Sequence, residues 1–251
     1  MNMRDLEKYG HDYASQPYER FQVAFRKRVI RQVLDRHPHG RILEIGCGLV
    51  PLFLDVVDFV RLVVLEPAPL FHARAVALRE SSPVRDRVEI MQDTLEAAAS
   101  RLAVEDFDFI VLSSLLHEVP KPEEFLRAIQ PLAGLQTVVH VNVPNAHSFH
   151  RLLAFEAGLI SDPRQASASN LKFQQATVFD LGLLTTLAER CGFTVFESGS
   201  YAMKPFTHRQ MEDMIQAKIL SEQVVDGLFE MEKYFPGYGS EIFVNLRKAA
   251  G

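Results

Sequence analysis

Five short, almost unbroken apolar runs constrain this chain's fold most: residues 41–46, 62–66, 87–91, 108–112 and 137–143. Strands covered on both faces read this way, and strands separated by helical segments pair in parallel. The intervening and preceding segments supply those helices. Phe21, Phe25, Val29, Val33 and Leu34 recur at helical spacing over about residues 16–37, and helices are expected over 71–80, 122–129 and 146–157. The expected architecture is α/β with a mostly parallel sheet.

The last part follows another pattern. A helix over 179–191, stopped by Gly192, leads into a strand over 194–198. Thr207 and Gln210 then form a capping box opening a helical stretch to about residue 234, and residues 241–246 read as a closing strand. Two late strands joined by that excursion predict an antiparallel edge pair carrying a helical insertion. Residues 160–173 are poor in strong apolar side chains, and read as a mobile loop near a functional mouth or as an irregular surface connection.

Composition narrows the function. With 47% hydrophobic and 24% charged residues over 251 positions, disordered and fibrous readings drop out and one domain can bury a sizeable core. Lys and Arg number 27 against 32 Asp and Glu, a net charge of −5 that weighs against nucleic-acid binding. Cys47 and Cys191 form no disulfide framework or CxxC site, which suits a reducing cytoplasm. The polar N-terminus predicts no signal peptide, and no apolar run approaches the roughly 18 residues of a membrane span.

The first predicted strand ends Leu43-Glu44-Ile45-Gly46-Cys47-Gly48. Alternating glycines let backbone approach a ligand closely, at the strand ends where open α/β sheets bind. Glu66 ends the second strand, where a carboxylate can accept both hydroxyls of a ribose. Asp93 ends the third, within reach of an adenine amino group. A nicotinamide fingerprint needs a third glycine where Pro51 stands, and no Gly-Lys-Ser/Thr follows to make a P-loop. The alternative is a tight turn with incidental acids.

These residues, with Leu65-Glu66-Pro67 and the run 108–120 (DFIVLSSLLHEVP), resemble class I S-adenosylmethionine-dependent methyltransferases. Residues 143–151 and Gly192-Phe193 are similar to small-molecule members acting on sugars and natural products. The resemblance implies a Rossmann-like seven-stranded sheet, its last strand antiparallel beside the fifth. It implies one methyltransferase domain over 1–251: an N-terminal helical lid (1–38), a cofactor-binding core (39–200), a helical insertion or cap (201–240) and a closing strand (241–251). S-adenosylmethionine is the implied cofactor and S-adenosylhomocysteine the product. Glu44 would lie near the methionine amino end, Gly46, Cys47 and Gly48 along the cofactor, Glu66 and Pro67 at the ribose, Asp93 and Thr94 at the adenine. Ser113 and Ser114 would flank the methionine part.

Methyl transfer to a hydroxyl calls for alignment, exclusion of water and a base. His117, just beyond the fourth strand, is the first base candidate and His147 a second; the alternative for His117 is a loop wall. His117-Glu118-Val119-Pro120-Lys121 is not a zinc H-E-x-x-H motif, and His147 with His150 is a weak metal signal, so no metal is assigned. Asn145, Arg151, Tyr201 and Lys204 are substrate candidates, Asn145 being also a helix cap and Arg151 an ion-pair partner. Among Tyr9, Tyr13 and Tyr18, Tyr13 is the chosen lid residue, its ring suited to a positive sulfur. Apolar residues of the insertion, Met211 to Met231, would pack on the sheet, cap the acceptor or form a homodimer surface. The expected activity is methyl transfer to a small polar acceptor, a hydroxyl first and an amine second. A non-catalytic partner protein of the same fold is the alternative.

Overall fold

The computed structural model describes Leu6, Tyr13, residues 16–173, Gln175 and residues 177–249. Tyr9 lies outside the described residues, as does most of the expected lid. The first described helix, α1 (Glu19–Leu34), buries Phe25, Val29, Ile30, Val33 and Leu34 along one side. Arg20 and Arg28 are exposed on the other, as an amphipathic surface helix requires, whereas Glu19 and Arg26 are buried.

The apolar runs form strands β1 (Arg41–Ile45), β2 (Arg61–Leu65), β3 (Val88–Met91), β4 (Phe107–Ser113) and β5 (Ala133–Pro144). β6 (Phe193–Tyr201) and β7 (Glu241–Lys248) complete one sheet, ordered β3-β2-β1-β4-β5-β7-β6. The first five strands pair in parallel, and β7 runs antiparallel between β5 and β6. This is the expected seven-stranded sheet. One face packs Leu43, Val63, Ile110, Val139 and Val141, and the other packs Ile42, Leu62, Val64, Phe109 and Val111 against α1. Alternate strand residues thus face opposite cores.

Helices α2 (Pro69–Glu80), α3 (Leu95–Leu102), α4 (Pro122–Ile129), α5 (Phe149–Glu156), α6 (Ala168–Lys172) and α7 (Leu181–Arg190) fill the connections. α3 has no counterpart in the sequence reading, although its Ala97-Ala98-Ala99 run and Thr94 cap favour a helix. The β1–β2 crossover carries only a 3-10 turn, Leu52–Leu54, with Leu52, Phe53, Val56 and Phe59 buried beneath it.

The long helical stretch expected after the capping box is instead two helices, α8 (His208–Gln216) and α9 (Glu222–Glu230). The box at Thr207 and Gln210 forms as read. Lys218 then turns left-handed, at φ 58°, and Ser221 caps the second helix by accepting from Val224 N–H at 3.3 Å. Met211, Val225 and Phe229 of this insertion pack against Tyr18, Phe25 and Val29, and against Tyr201 of β6. No helix among the described residues is long and apolar enough to cross a membrane.

Candidate functional site

Beyond the carboxyl ends of β1, β2 and β4 lies a cavity of about 520 Å³. Gly46 and Gly48 reach it at φ +77° and +55°, conformations that side chains resist. A Cβ on Gly46 would press on Leu115 at 3.2 Å, whereas one on Gly48 would meet no atom of the described residues within 4 Å. Backbone therefore lies bare along this wall.

The acids brace that loop. Both Glu44 carboxylate oxygens accept from Leu52 N–H, at 3.1 and 3.0 Å, so the first strand's acid pins the turn replacing a crossover helix. Burial pushes the Glu44 carboxyl up to about 7, against the pull of that N–H and of Lys27. Glu66 Oε2 accepts from Gly48 N–H at 3.1 Å and its Oε1 from Ala68 N–H at 2.9 Å. Burial raises its carboxyl too, with the two backbone donors opposing. The Cys47 thiol lies 3.7 Å from Glu66 Oε2, and burial raises it far from the thiolate form. Asp93 pairs with Arg101, and Thr94 caps α3 through the Ala97 N–H.

All eleven residues assigned to the cofactor from sequence line this one cavity: Tyr13, Glu44, Gly46, Cys47, Gly48, Glu66, Pro67, Asp93, Thr94, Ser113 and Ser114. Arg26, Lys27, Phe71 and Glu118 line it too, and sequence reasoning missed them. Helical periodicity marks α1 as amphipathic but does not say which of its basic residues turn toward a ligand. Tyr13 packs edge-on against Phe71, ring centroids 5.9 Å apart, and its hydroxyl donates to Glu19.

A buried polar chain leaves the cavity at Arg26. Arg26 binds Glu19, accepts company from Tyr13 by donating to its hydroxyl at 3.2 Å, and donates through Nε to Glu241 Oε1 at 2.8 Å. Tyr201 donates to Glu241 Oε2 at 3.0 Å. Pro144, Glu241 and Tyr201 are register partners at the ends of β5, β7 and β6, so this polar chain crosses that end of the sheet. Lys204 follows, 4% exposed and without a hydrogen bond or ion pair to the described residues. Burial drives its ammonium down to about 7, although Glu241 and Glu19 oppose the shift. His150 and His208 are held well below their usual range by burial and by the Lys204 charge.

The catalytic candidates fall elsewhere. His117 is buried in the 3-10 turn Leu116–Glu118, its Nε2 3.8 Å from Glu118 Oε1 and its carbonyl accepting from Thr177 N–H. Glu118, not His117, lines the cavity. His147 is exposed, and its backbone N–H donates to Asn145 Oδ1 at 2.9 Å. Asn145 also clasps the Gly237 and Gly239 carbonyls at 3.0 and 2.9 Å, and Arg151 holds the carbonyls of Pro163 and Gln165. Both are therefore engaged in shaping loops, and the ion pair expected for Arg151 is replaced by carbonyl contacts. Among the described residues no three His, Cys, Asp or Glu side chains group as a metal site.

A family model described as a methyltransferase domain matches residues 18–198. No curated protein matches the chain in sequence. Among solved structures, the chain is similar to a protein provisionally assigned as a sarcosine dimethylglycine methyltransferase from Galdieria sulphuraria, at 13% identity and TM-score 0.60, covering 89% of this chain and 85% of that one. It is similar to the 4+2 cyclase SpnF at 14% identity and TM-score 0.58, covering 90% and 81%. The N-methyltransferase NodS from Bradyrhizobium japonicum WM9, in complex with S-adenosylhomocysteine, matches at 12% identity and TM-score 0.53, covering 94% and 90%. At these identities the likeness is one of fold.

Proposed function

Because the chain belongs to the methyltransferase-domain family, we propose that it moves a methyl group from S-adenosylmethionine to a hydroxyl of a small polar acceptor, such as a sugar or natural-product intermediate. Convergence of the eleven sequence-assigned residues on one cavity carries this reading. The donor set fits the cofactor. Bare glycine backbone meets an extended ligand, Glu66 offers carboxylate oxygens at a ribose position, and Asp93 with Thr94 stands where an adenine edge would lie. Among the described residues the lining carries five acidic side chains, Glu44, Glu66, Asp93, Glu96 and Glu118, against Arg26 and Lys27, an excess that suits a cationic donor.

When bound, the cofactor supplies an electrophilic methyl on a sulfonium that leaves as a neutral thioether. The chain's own residues then align and dry the site. Tyr13, latched to Glu19 and Arg26, closes the cavity from the N-terminal side, with its ring against Phe71. The polar chain through Glu241 to Tyr201 and Lys204 marks the acceptor side. Two groups suit the hydroxyl proton: the near-neutral Lys204 amine on that side, and His117, which lies elsewhere, behind Glu118 of the cavity wall. We take residues 1–251 as one methyltransferase domain with the insertion on its acceptor side.

Isothermal titration with S-adenosylmethionine and S-adenosylhomocysteine tests the donor assignment. Well-folded protein should bind both, and binding of neither would refute it. Turnover against panels of hydroxyl and amine acceptors then separates O- from N-methylation.

A further inference from the structure

A line of polar side chains crosses the apolar interior from the cavity wall to the far edge of the sheet. Asn142 and His140 on β5 and Asn245 on β7 are fully buried. Ser113 is the register partner of Asn142, His140 that of Asn245, and Asn245 that of Glu197 on β6. Asn142 Oδ1 accepts from Ser114 N–H at 2.9 Å, and its amide also meets the Ser113 hydroxyl at 3.3 Å. His140 Nε2 lies 3.1 Å from Asn142 Nδ2, and His140 Nδ1 lies 2.7 Å from Asn245 Oδ1. Asn245 Nδ2 donates to Glu197 Oε2 at 2.7 Å, and Arg36 holds the same carboxylate from outside.

The two ends fix the direction of every link. A backbone N–H only donates, so Asn142 must turn its oxygen to Ser114 and its NH2 to His140. His140 Nε2 must then accept, which puts the imidazole proton on Nδ1, facing Asn245 Oδ1. The Asn245 NH2 is left to donate to Glu197, and a carboxylate only accepts. One proton arrangement satisfies the whole line, and the reverse one sets NH2 against the Ser114 N–H.

What this line holds is unusual backbone. Ser114 sits at φ 52°, left-handed without being glycine, and with Ser113 it lines the donor cavity. Its N–H is gripped twice, by Asn142 Oδ1 and by the Asn142 carbonyl at 3.0 Å.

We propose that Asn142, oriented by His140 and Asn245 from the Glu197 edge, is a positioning residue that sets the Ser113–Ser114 backbone for the methyl donor. This rests on the reading of the cavity as the donor site. Burying so many polar groups among valines contributes little to stability, which fits retention for a specific arrangement. From Glu197 to Ser113 the line spans three strand spacings, roughly 14 Å, so a change at its middle acts on the donor without touching it.

The test combines titration with S-adenosylhomocysteine and nitrogen NMR of the His140 ring. In the native protein the ring proton should sit on Nδ1; a proton on Nε2 overturns the proposal, whatever the variants do. Asn142→Leu should weaken S-adenosylhomocysteine by about tenfold, the loss of one hydrogen-bonded anchor. Asn245→Leu, which contacts neither serine, should weaken it about threefold and release the His140 tautomer. Val141→Ala, buried on the opposite face of the same strand, should lower Tm with affinity unchanged. If Asn142→Leu does not fold, Asn245→Leu and the native tautomer decide. Native-like affinity in the folded variants overturns the proposal, whereas a native protein that binds no S-adenosylhomocysteine overturns the donor-site reading and leaves the tautomer to decide the line's direction.

Discussion

Glu66 Oε2 accepts a hydrogen bond from the Gly48 amide at 3.1 Å, so the acid ending the second strand clasps the glycine loop that ends the first. The same carboxylate takes Ala68 N–H on its other oxygen at 2.9 Å. Glu66→Gln keeps the shape but leaves one accepting oxygen for two backbone donors and for a ribose. Hydrogen bonds to a charged group contribute roughly 1.5–3 kcal/mol each, so cofactor affinity should fall about 10–100-fold. Calorimetric titration with S-adenosylhomocysteine reads this directly, and affinity within twofold of native would remove Glu66 from the ribose site.

Gly48 separates ligand approach from stability. At φ +55° an alanine there costs about 1–2 kcal/mol, yet its Cβ meets no atom of the described residues within 4 Å. Gly48→Ala should therefore fold, with Tm lowered by a few degrees, while losing most of its affinity for S-adenosylhomocysteine. Retained affinity would mean that the bare wall faces no ligand.

Lys204 gives a pH signature that needs no ligand. Its ammonium titrates near 7 in the folded chain, against an ordinary value of 10.5. Between those values the unfolded chain holds a proton the folded chain lacks, so this group's contribution to stability rises with pH across that window. The penalty is complete below about pH 7 and gone above about 10.5. At 1.36 kcal/mol per pH unit it is bounded at roughly 5 kcal/mol. Lys204→Met should be more stable than native protein at about pH 6, with the gain fading by about pH 10. Urea midpoints at both pH values check this, and a gain independent of pH would contradict it.

What could be read from sequence, and what could not, divides along physical lines. Strand ends carry local signals: an apolar run, then glycines or an acid. Glu44, Gly46, Gly48, Glu66 and Asp93 could therefore be placed before any contact was known. Arg26 and Phe71 reach the cavity by the packing of α1 and α2 on the sheet, and nothing in their immediate neighbours marks that orientation. The break at Lys218 is likewise hidden, since a left-handed lysine carries no glycine or proline flag. His147 misleads for the opposite reason. It follows the right strand, but it is exposed to solvent. Lys204 was a candidate by position alone, and nothing in its sequence neighbours marks its burial without a hydrogen bond or ion pair among the described residues.

The latch at Tyr13 separates closure from contact. Its hydroxyl donates to Glu19 and accepts from Arg26 at 3.2 Å, and its ring stands edge-on to Phe71. Tyr13→Phe removes the first two interactions and keeps the ring. Glu19 and Arg26 remain paired with each other, and Arg26 stays on Glu241, so no buried charge is stranded. Overall stability should fall by about 1 kcal/mol, the net value of an ordinary hydrogen bond. If the hydroxyl holds the Tyr13 ring at the cavity wall, bound S-adenosylhomocysteine should leave several-fold faster while its association rate changes little. Tyr13→Ala, which also removes the ring, should speed release further. Stopped-flow displacement measures both, and native release from Tyr13→Phe would mean that the ring closes the cavity without its latch.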